Sequence, residues 1–315
     1  MNLLGSALTE LDPPIHSLYV YNSNPAVVAP SANKVREGLE REDLFTVVHD
    51  LFLTETAAYA DIVLPATSSF ENTDLYSSYW HHYVQIQEPV IKPFVESKSN
   101  VEVFRLLAQA MGYEEQALRD TEADMIRQTL DHPGNPVLEG ITYEQLTKQQ
   151  YMKGQVKPLF PGKLKTPSGK VELYSKSMER KGYPPMPTYT PLVEEGNLPF
   201  LFIPGPNHNF LNSTFSNNDK HARMEKTPLA YMNAADALIL GIANGDPVRV
   251  WNDRGECELT AKVGEDVLPG VVVSQGLWAD SPGRKNLVNS LTPDRVADMG
   301  GGATFFSGRV YVERC

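Results

Sequence analysis

Leu44-Phe45-Thr46-Val47-Val48-His49 is an almost wholly apolar run that ends on Asp50. Strands of this composition are buried on both faces, which calls for a parallel sheet with helices on each side. The flanking segments fit. Ile15-His16-Ser17-Leu18-Tyr19-Val20-Tyr21 is β-branched and aromatic and stops at the turn cluster Asn22-Ser23-Asn24-Pro25. Ser31 can cap a helix through about Arg41, with Val35 and Leu39 on one face. Thr54 or Thr56 can open another short helix, and Ile62-Val63-Leu64 reads as a short buried strand ended by Pro65. In open parallel sheets ligands sit beyond the carboxyl ends of the strands. Two polar strand ends, Asn22-Ser23-Asn24-Pro25 and His49-Asp50, are therefore where function is sought first.

Further along, Tyr83-Val84-Gln85-Ile86-Gln87 alternates as a strand. Ser99 and Glu102 form a capping box for a helix whose stripe is Val101, Phe104, Leu107, Ala108 and Met111, and Gly112 ends it. Residues 113–195 are rich in Pro, Gly and Lys and read as a connecting region with little core of its own. After Leu198 short strands recur between turns: Phe200 to Ile203, Pro247 to Trp251, Cys257 to Val263, Gly270 to Ser274 and Arg309 to Val312. Cys257, Leu259, Ala261 and Val263 alternate strictly with polar residues, as in a half-buried antiparallel strand. Asn252-Asp253-Arg254-Gly255 supplies a hairpin turn. One helix interrupts the set, with Asn233 as cap, Leu238, Ile239 and Ile242 as buried face and Gly245 at its exit. Such spacing points to a small barrel.

Composition excludes several classes. The chain has 315 residues, 41% of them apolar, with 22 Gly, so it is long enough for about two domains. Lys and Arg number 28 against 39 Asp and Glu, a net charge of −11. That balance argues against nucleic-acid and anionic-membrane partners. No window reaches the roughly 18 continuous apolar residues of a membrane span. Residues 1–14 carry acids where a secretory signal needs basic residues. Two cysteines, Cys257 and Cys315, cannot build a disulfide framework, a four-thiolate zinc site or an iron–sulfur cluster. Reduced thiols suit the cytoplasm. There is no Walker loop, no G-x-G-x-x-G and no G-x-S-x-G, and the adjacent His81 and His82 point to opposite faces of a strand.

Pro204-Gly205-Pro206-Asn207-His208-Asn209-Phe210-Leu211-Asn212-Ser213-Thr214 follows an apolar strand and groups amide, imidazole and hydroxyl side chains in one short loop. Such a set suits a multiply hydrogen-bonded ligand such as a pterin or a nucleotide. It equally suits a loop rich in side chain–backbone turns, and spacing alone leaves both open.

These residues also carry a family resemblance. Tyr19 to Pro25, Val47 to Ala57 and Tyr59 to Pro65 resemble the third domain of the dimethyl-sulfoxide-reductase family of molybdopterin oxidoreductases. Thr166-Pro167-Ser168-Gly169-Lys170-Val171-Glu172-Leu173-Tyr174-Ser175 is similar to the segment leading into that family's last domain. Residues 198–315 resemble that last domain, the molybdopterin-dinucleotide-binding β-barrel, with landmarks at Leu238 to Val248 and Asn289-Ser290-Leu291-Thr292-Pro293.

The resemblance implies an α/β fold: part of a parallel Rossmann-like sheet domain over 1–112, a connecting region over 113–196, and a six-stranded double-psi-type β-barrel over 197–315. It implies a molybdopterin guanine dinucleotide cofactor with Mo or W, and oxygen-atom or two-electron chemistry on a small-molecule substrate. Asn24, His49 and Asp50 would touch the nucleotide. Pro204, Gly205, Asn207, His208, Asn209, Asn212 and Ser213 would wrap pterin and phosphate groups. Trp278, Asn289 and Phe306 fall at family contact positions, with a basic residue in some relatives at the position of Phe306. Asn72 and Asn100 sit where relatives place a basic and an acidic residue, and Asn100 also lies beside a capping Ser.

The family's 4Fe-4S cluster and its protein ligand to the metal come from parts that this chain lacks. The expected partner is accordingly an amino-terminal half of the same enzyme or a separate subunit carrying it, and the chain alone is expected to be inactive. The alternative is a non-catalytic cofactor-binding subunit that completes a partner's active site. No residue here is singled out as catalytic.

Overall fold

β1 (Ser17–Tyr21) and β2 (Phe45–Asp50) pair in parallel, with Ser17 opposite Phe45 and Tyr21 opposite His49. β3 (Ile62–Pro65) completes a three-stranded sheet in the order β1-β2-β3. A parallel pair needs a crossover, here α2 (Pro25–Val28) and α3 (Ala32–Leu39), and α1 (Leu4–Glu10) packs against α3. Leu8, Ala26, Ala29, Val35, Leu39 and Leu44 form their shared core. Gly38 permits the close approach of α1: a Cβ there would stand 2.4 Å from Leu8 Cβ.

Three local expectations change. Ser31 sits at φ +51° and makes no side-chain cap; instead its N–H donates to the Thr292 carbonyl at 3.0 Å. The helix expected from Thr54 or Thr56 is a single 3-10 turn over Ala57–Tyr59. Ile62 and Val63 are exposed by 44% and 37%, because β3 is the sheet's edge and has a strand neighbour on one side only.

The computed structural model describes every residue except 1, 133, 135, 156–161, 163, 193–197 and 281–283. The chain forms two compact units, one of residues 1–64 and 192–315, the other of 65–191. These units cut the chain elsewhere than the division at 112 and 196 expected from the resemblance, and the boundary at 196/197 lies outside the described residues.

In residues 65–191, β4 (Asp74–Tyr76), β5 (Tyr83–Gln87) and β6 (Tyr151–Lys153) make an antiparallel sheet. α4 (Asn100–Ala110), α5 (Glu122–Asp131), α6 (Tyr143–Gln149) and α7 (Lys176–Arg180) are the helices. Ser99 caps α4 as read from sequence, but Glu102 bonds Lys98 instead of closing a capping box. Of the stripe read along α4 only Ala108 is buried. The connecting region does have a core: Ile126, Leu130, Leu138, Ile141 and Leu146 pack with Val84 and Ile86. Its helices are short, and α5 and α6 start on capping boxes, Thr121 with Asp124 and Thr142 with Gln145, so they hide in a Pro- and Gly-rich composition.

The remaining strands are β7 (Phe200–Gly205), β8 (Leu229–Asn233), β9 (Pro247–Asn252), β10 (Gly255–Gly264), β11 (Val271–Gln275) and β12 (Arg309–Arg314). They close a barrel in the order β10-β8-β11-β7-β12-β9. Pairs β10–β8 and β11–β7 are parallel and the others antiparallel. Phe202, Met232, Val248, Val250, Cys257, Leu259 and Val272 fill it. β8 escapes a reading of the sequence because its last residue, Asn233, is already the cap of α9 (Ala234–Leu240), preceded by α8 (Asp219–Glu225). α9 ends on Gly241 in the left-handed region, not at Gly245. Ala237 and Ile242 face the barrel, while Leu238 and Ile239 are each 82% exposed, against expectation. Two helical turns lie against the barrel along one side only.

α3 and its neighbours are bolted to the barrel. Asn289 Nδ2 donates to the Val27 carbonyl at 2.8 Å, Asn33 Nδ2 to the Arg254 carbonyl at 3.0 Å, and Arg36 Nη1 to Asp280 Oδ2 at 2.6 Å. Lys34 joins Glu10, Ser6 and Asp294.

Candidate functional site

The strand ends of the sheet place Asn24 and Asp50. Asn24 is buried, and both ends of its amide are occupied. Its Nδ2 donates to Glu55 Oε2 at 2.7 Å; its Oδ1 accepts from Thr56 N at 3.1 Å and Thr56 Oγ1 at 2.7 Å. Thr56 Oγ1 in turn accepts from Ala26 N at 3.0 Å. This knot ties the turn after β1 to the loop after β2. His49 is wholly buried, whereas Asp50 is half-buried. Asp50 Oδ1 accepts from Leu51 N at 2.7 Å, and its other oxygen has no partner among the described residues. Asp50 and Glu55 thus bring two carboxylates to one loop, beside the exposed Leu51, Phe52 and Leu53.

The barrel contributes the second set. Pro204 and Gly205 end β7 and pair with Ser274 and Gln275 of β11. Asn207 lies over Gly276, which has φ +84°; a Cβ on Gly276 would fall 1.9 Å from Asn207 Nδ2. Asn207 Nδ2 and Ser274 Oγ are both buried without a hydrogen-bond partner among the described residues. Trp278 Nε1 donates to the Gln275 carbonyl at 3.2 Å, and its ring meets Phe210 edge-on with centroids 5.3 Å apart.

The reading of this loop as rich in side chain–backbone turns holds in part, since Asn209 serves the loop itself. Its N–H and Nδ2 donate to Glu225 Oε1 at 2.6 and 2.9 Å, and its carbonyl accepts from His221 Nδ1 at 2.7 Å. The His221 ring stacks on Phe215. His208 and Asn212 are exposed, Asn212 with φ +51°, and the Ser213 carbonyl accepts from Ser216 Oγ at 2.8 Å. Asn289 is buried as the staple to Val27, and Phe306 stands exposed on a 3-10 turn over Phe305–Ser307.

Asn72 and Asn100 belong to the other unit. Asn72 Oδ1 accepts from Thr67 Oγ1 at 2.6 Å. Asn100 opens α4, and its Oδ1 is buried without a partner among the described residues. Glu55, Glu225, His221, Ser274 and Gly276 carry no local signal that singles them out in the sequence, and Thr56 reads there only as a helix opener; each matters through a partner brought to it by the fold.

Cys257 is no ligand candidate. Burial pushes its thiol up to about 12, so it stays protonated, and its Sγ donates to the Leu287 carbonyl at 3.1 Å. Among the described residues no group of three His, Cys, Asp or Glu could hold a metal ion, and no helix is long and apolar enough to cross a membrane. Two cavities, of about 410 and 370 Å³, lie elsewhere. The first borders the end of α4 at Arg105, Gln109 and Tyr113. The second lies between α3 and the β9–β10 hairpin, where Arg36 pairs with Asp280 and Glu256 with Arg249 and Lys285.

Residues 6–110 match the family model described as Molybdopterin oxidoreductase, and residues 200–308 match that described as Molydopterin dinucleotide binding domain. The chain is 69% identical over 315 residues to the "Probable oxidoreductase YoaE" of Bacillus subtilis (strain 168), covering 100% of this chain and 46% of that protein. It is 30% identical over 350 residues to "Dimethyl sulfoxide reductase DmsA" of Escherichia coli (strain K12), covering 97% of this chain and 42% of that protein. The chain thus spans about half the length of the curated relatives it matches. A solved structure, acetylene hydratase from Pelobacter acetylenicus, shares the fold with a TM-score of 0.79 at 22% identity, over 99% of this chain and 46% of that one.

Proposed function

The chain belongs to the dimethyl-sulfoxide-reductase family of molybdopterin oxidoreductases, whose cofactor is molybdopterin guanine dinucleotide, and from that premise we propose that it supplies the sheet-end and barrel loops of one such cofactor site in an oxidoreductase. The observation that carries this reading is an unpartnered buried donor, Asn207 Nδ2, on a half-buried residue of the 204–213 loop packed over Gly276. Buried donors are almost always paired. A pterin or phosphate oxygen would complete it, so the residues present fit the group.

When bound, the cofactor supplies oxygen-atom or two-electron chemistry at Mo or W. This chain's residues bind and orient it. Asp50 and Glu55 offer acceptors to the nucleoside; Asn207 and the backbone at Gly205 face the pterin and phosphates; Trp278 and Phe210 wall the loop; Glu225 and His221 hold Asn209 in place. The substrate is a small molecule. The protein ligand to the metal and the 4Fe-4S cluster belong to an amino-terminal half or a separate subunit, a reading supported by the 46% span of the similar oxidoreductase. The same span favours a second reading, a non-catalytic subunit that completes a partner's active site. The matches at 6–110 and 200–308 support dividing the chain into a sheet portion, a connecting region and a barrel. An exposed free thiol, Cys315, suits the cytoplasm.

The test is metal and pterin analysis of the native protein, purified anaerobically with whatever it binds. Mo or W together with a pterin guanine nucleotide is the expected result. A native complex free of both would end the proposal.

A further inference from the structure

We infer that Glu55 is the residue that reads the base of the bound nucleotide and selects guanine. The inference rests on the dinucleotide reading above and assigns a specificity role within it. Asn24, the residue expected at the nucleotide, is buried with its amide oxygen occupied by Thr56 and its amide nitrogen by Glu55. What Asn24 does is aim Glu55. The bond from Asn24 Nδ2 to Glu55 Oε2 is 2.7 Å long and charge-assisted, and it anchors the carboxylate in the loop beyond β2. Glu55 is half-buried, and its Oε1 has no partner among the described residues. Its Oε2 retains a further lone pair. Glu55 therefore presents two fixed acceptors and, when ionised, no donor.

Guanine answers that pattern. Its N1–H and 2-amino group are adjacent donors that match the two oxygens of one carboxylate. Adenine turns an acceptor, N1, and a carbon-bound hydrogen to the same place, which would leave Oε1 of a half-buried carboxylate facing no donor. Asp50 has one oxygen held by Leu51 N and a single open acceptor, which suits a ribose hydroxyl. Asn24 is then a positioning residue and Glu55 the specificity residue.

The experiment is isothermal titration calorimetry of the purified chain with guanosine, inosine, adenosine and xanthosine diphosphates, for wild type and E55Q. Wild type is expected to bind the guanosine compound at least about tenfold more tightly than the adenosine compound, with inosine between. In E55Q one acceptor becomes a donor that meets the 2-oxo group of xanthine. Guanosine diphosphate is expected to weaken about tenfold and xanthosine diphosphate to tighten about tenfold. A gain of xanthosine binding cannot come from misfolding. If E55Q leaves guanosine binding unchanged, or weakens all four nucleotides alike, Glu55 does not read the base, while a wild-type preference for guanosine still upholds the dinucleotide reading. If wild type binds no guanosine diphosphate at all, the dinucleotide reading fails and the role of Glu55 with it.

Discussion

Arg36 Nη1 lies 2.6 Å from Asp280 Oδ2 and joins α3 to the barrel loop that follows Trp278. Arg36 Nε also donates to the Ala26 carbonyl at 3.3 Å, two residues past Asn24. Asp280 Oδ1 accepts from Asn286 N at 2.7 Å and Leu287 N at 3.0 Å. The pair holds the strand-end turn and the segment leading to Asn289 in one frame. Asp280→Ala removes an ion pair and strands two backbone donors, so a loss of about 1–3 kcal/mol is expected in urea denaturation. A change within about 0.5 kcal/mol, the range of ordinary surface substitutions, would show that the pair holds nothing.

Gly38 lies inside α3, where Gly normally costs about 1 kcal/mol relative to Ala. Here the preference is reversed by packing, because the new Cβ would stand 2.4 Å from Leu8 Cβ, an atom close to the α1 backbone. Gly38→Ala should therefore lower stability by about 1–3 kcal/mol, as overpacking does. A raised melting temperature would count against the helix pairing as described.

Gly276→Ala is the corresponding probe of the candidate site. Its φ of +84° disfavours any side chain, and the added methyl would displace Asn207. The expected outcome is a native complex depleted of pterin at unchanged secondary structure, measured by pterin release and circular dichroism. Full pterin content in the variant would remove Asn207 from the site.

Acid should loosen the barrel face at β9 and β10. The Lys285 ammonium first, then the Arg249 guanidinium, hold the Glu256 carboxylate below its ordinary value of 4.5. A depressed folded value means stability that is present above the unfolded value and disappears as pH falls through the folded one, so the loss sets in below about pH 5. Denaturation midpoints across that range should fall less steeply in Glu256→Gln than in wild type. Parallel curves would place the acid sensitivity elsewhere. Glu256 is half-buried but the side chains of its partners Arg249 and Lys285 are exposed, so added salt should shrink the difference.

Local periodicity made much of the fold legible. The apolar runs of β1 and β2, the alternation from Cys257, the hairpin at Asn252 to Gly255 and the Asn233 cap are each set by neighbours within a few residues. The burial of α9 was misread for a physical reason: a seven-residue helix with Leu and Ile together does not say which side meets the barrel, and packing put Ala237 there. β8 was missed because Asn233 belongs to a strand and a helix at once.

Sequence alone settled the parallel sheet, the small barrel and the family to which the chain belongs, since those rest on short-range patterns and on motifs in order. Only the tertiary structure decided which polar groups are free to meet a ligand. Asn24 was chosen from its place at a strand end, yet its amide is engaged by Glu55 and Thr56, 31 and 32 residues away. Asn209 is held by Glu225 at a separation of 16 residues, and Asn289 by Val27 at 262. A hydrogen bond satisfies a donor from any distance along the chain, so no window of sequence can reveal which donors remain unsatisfied.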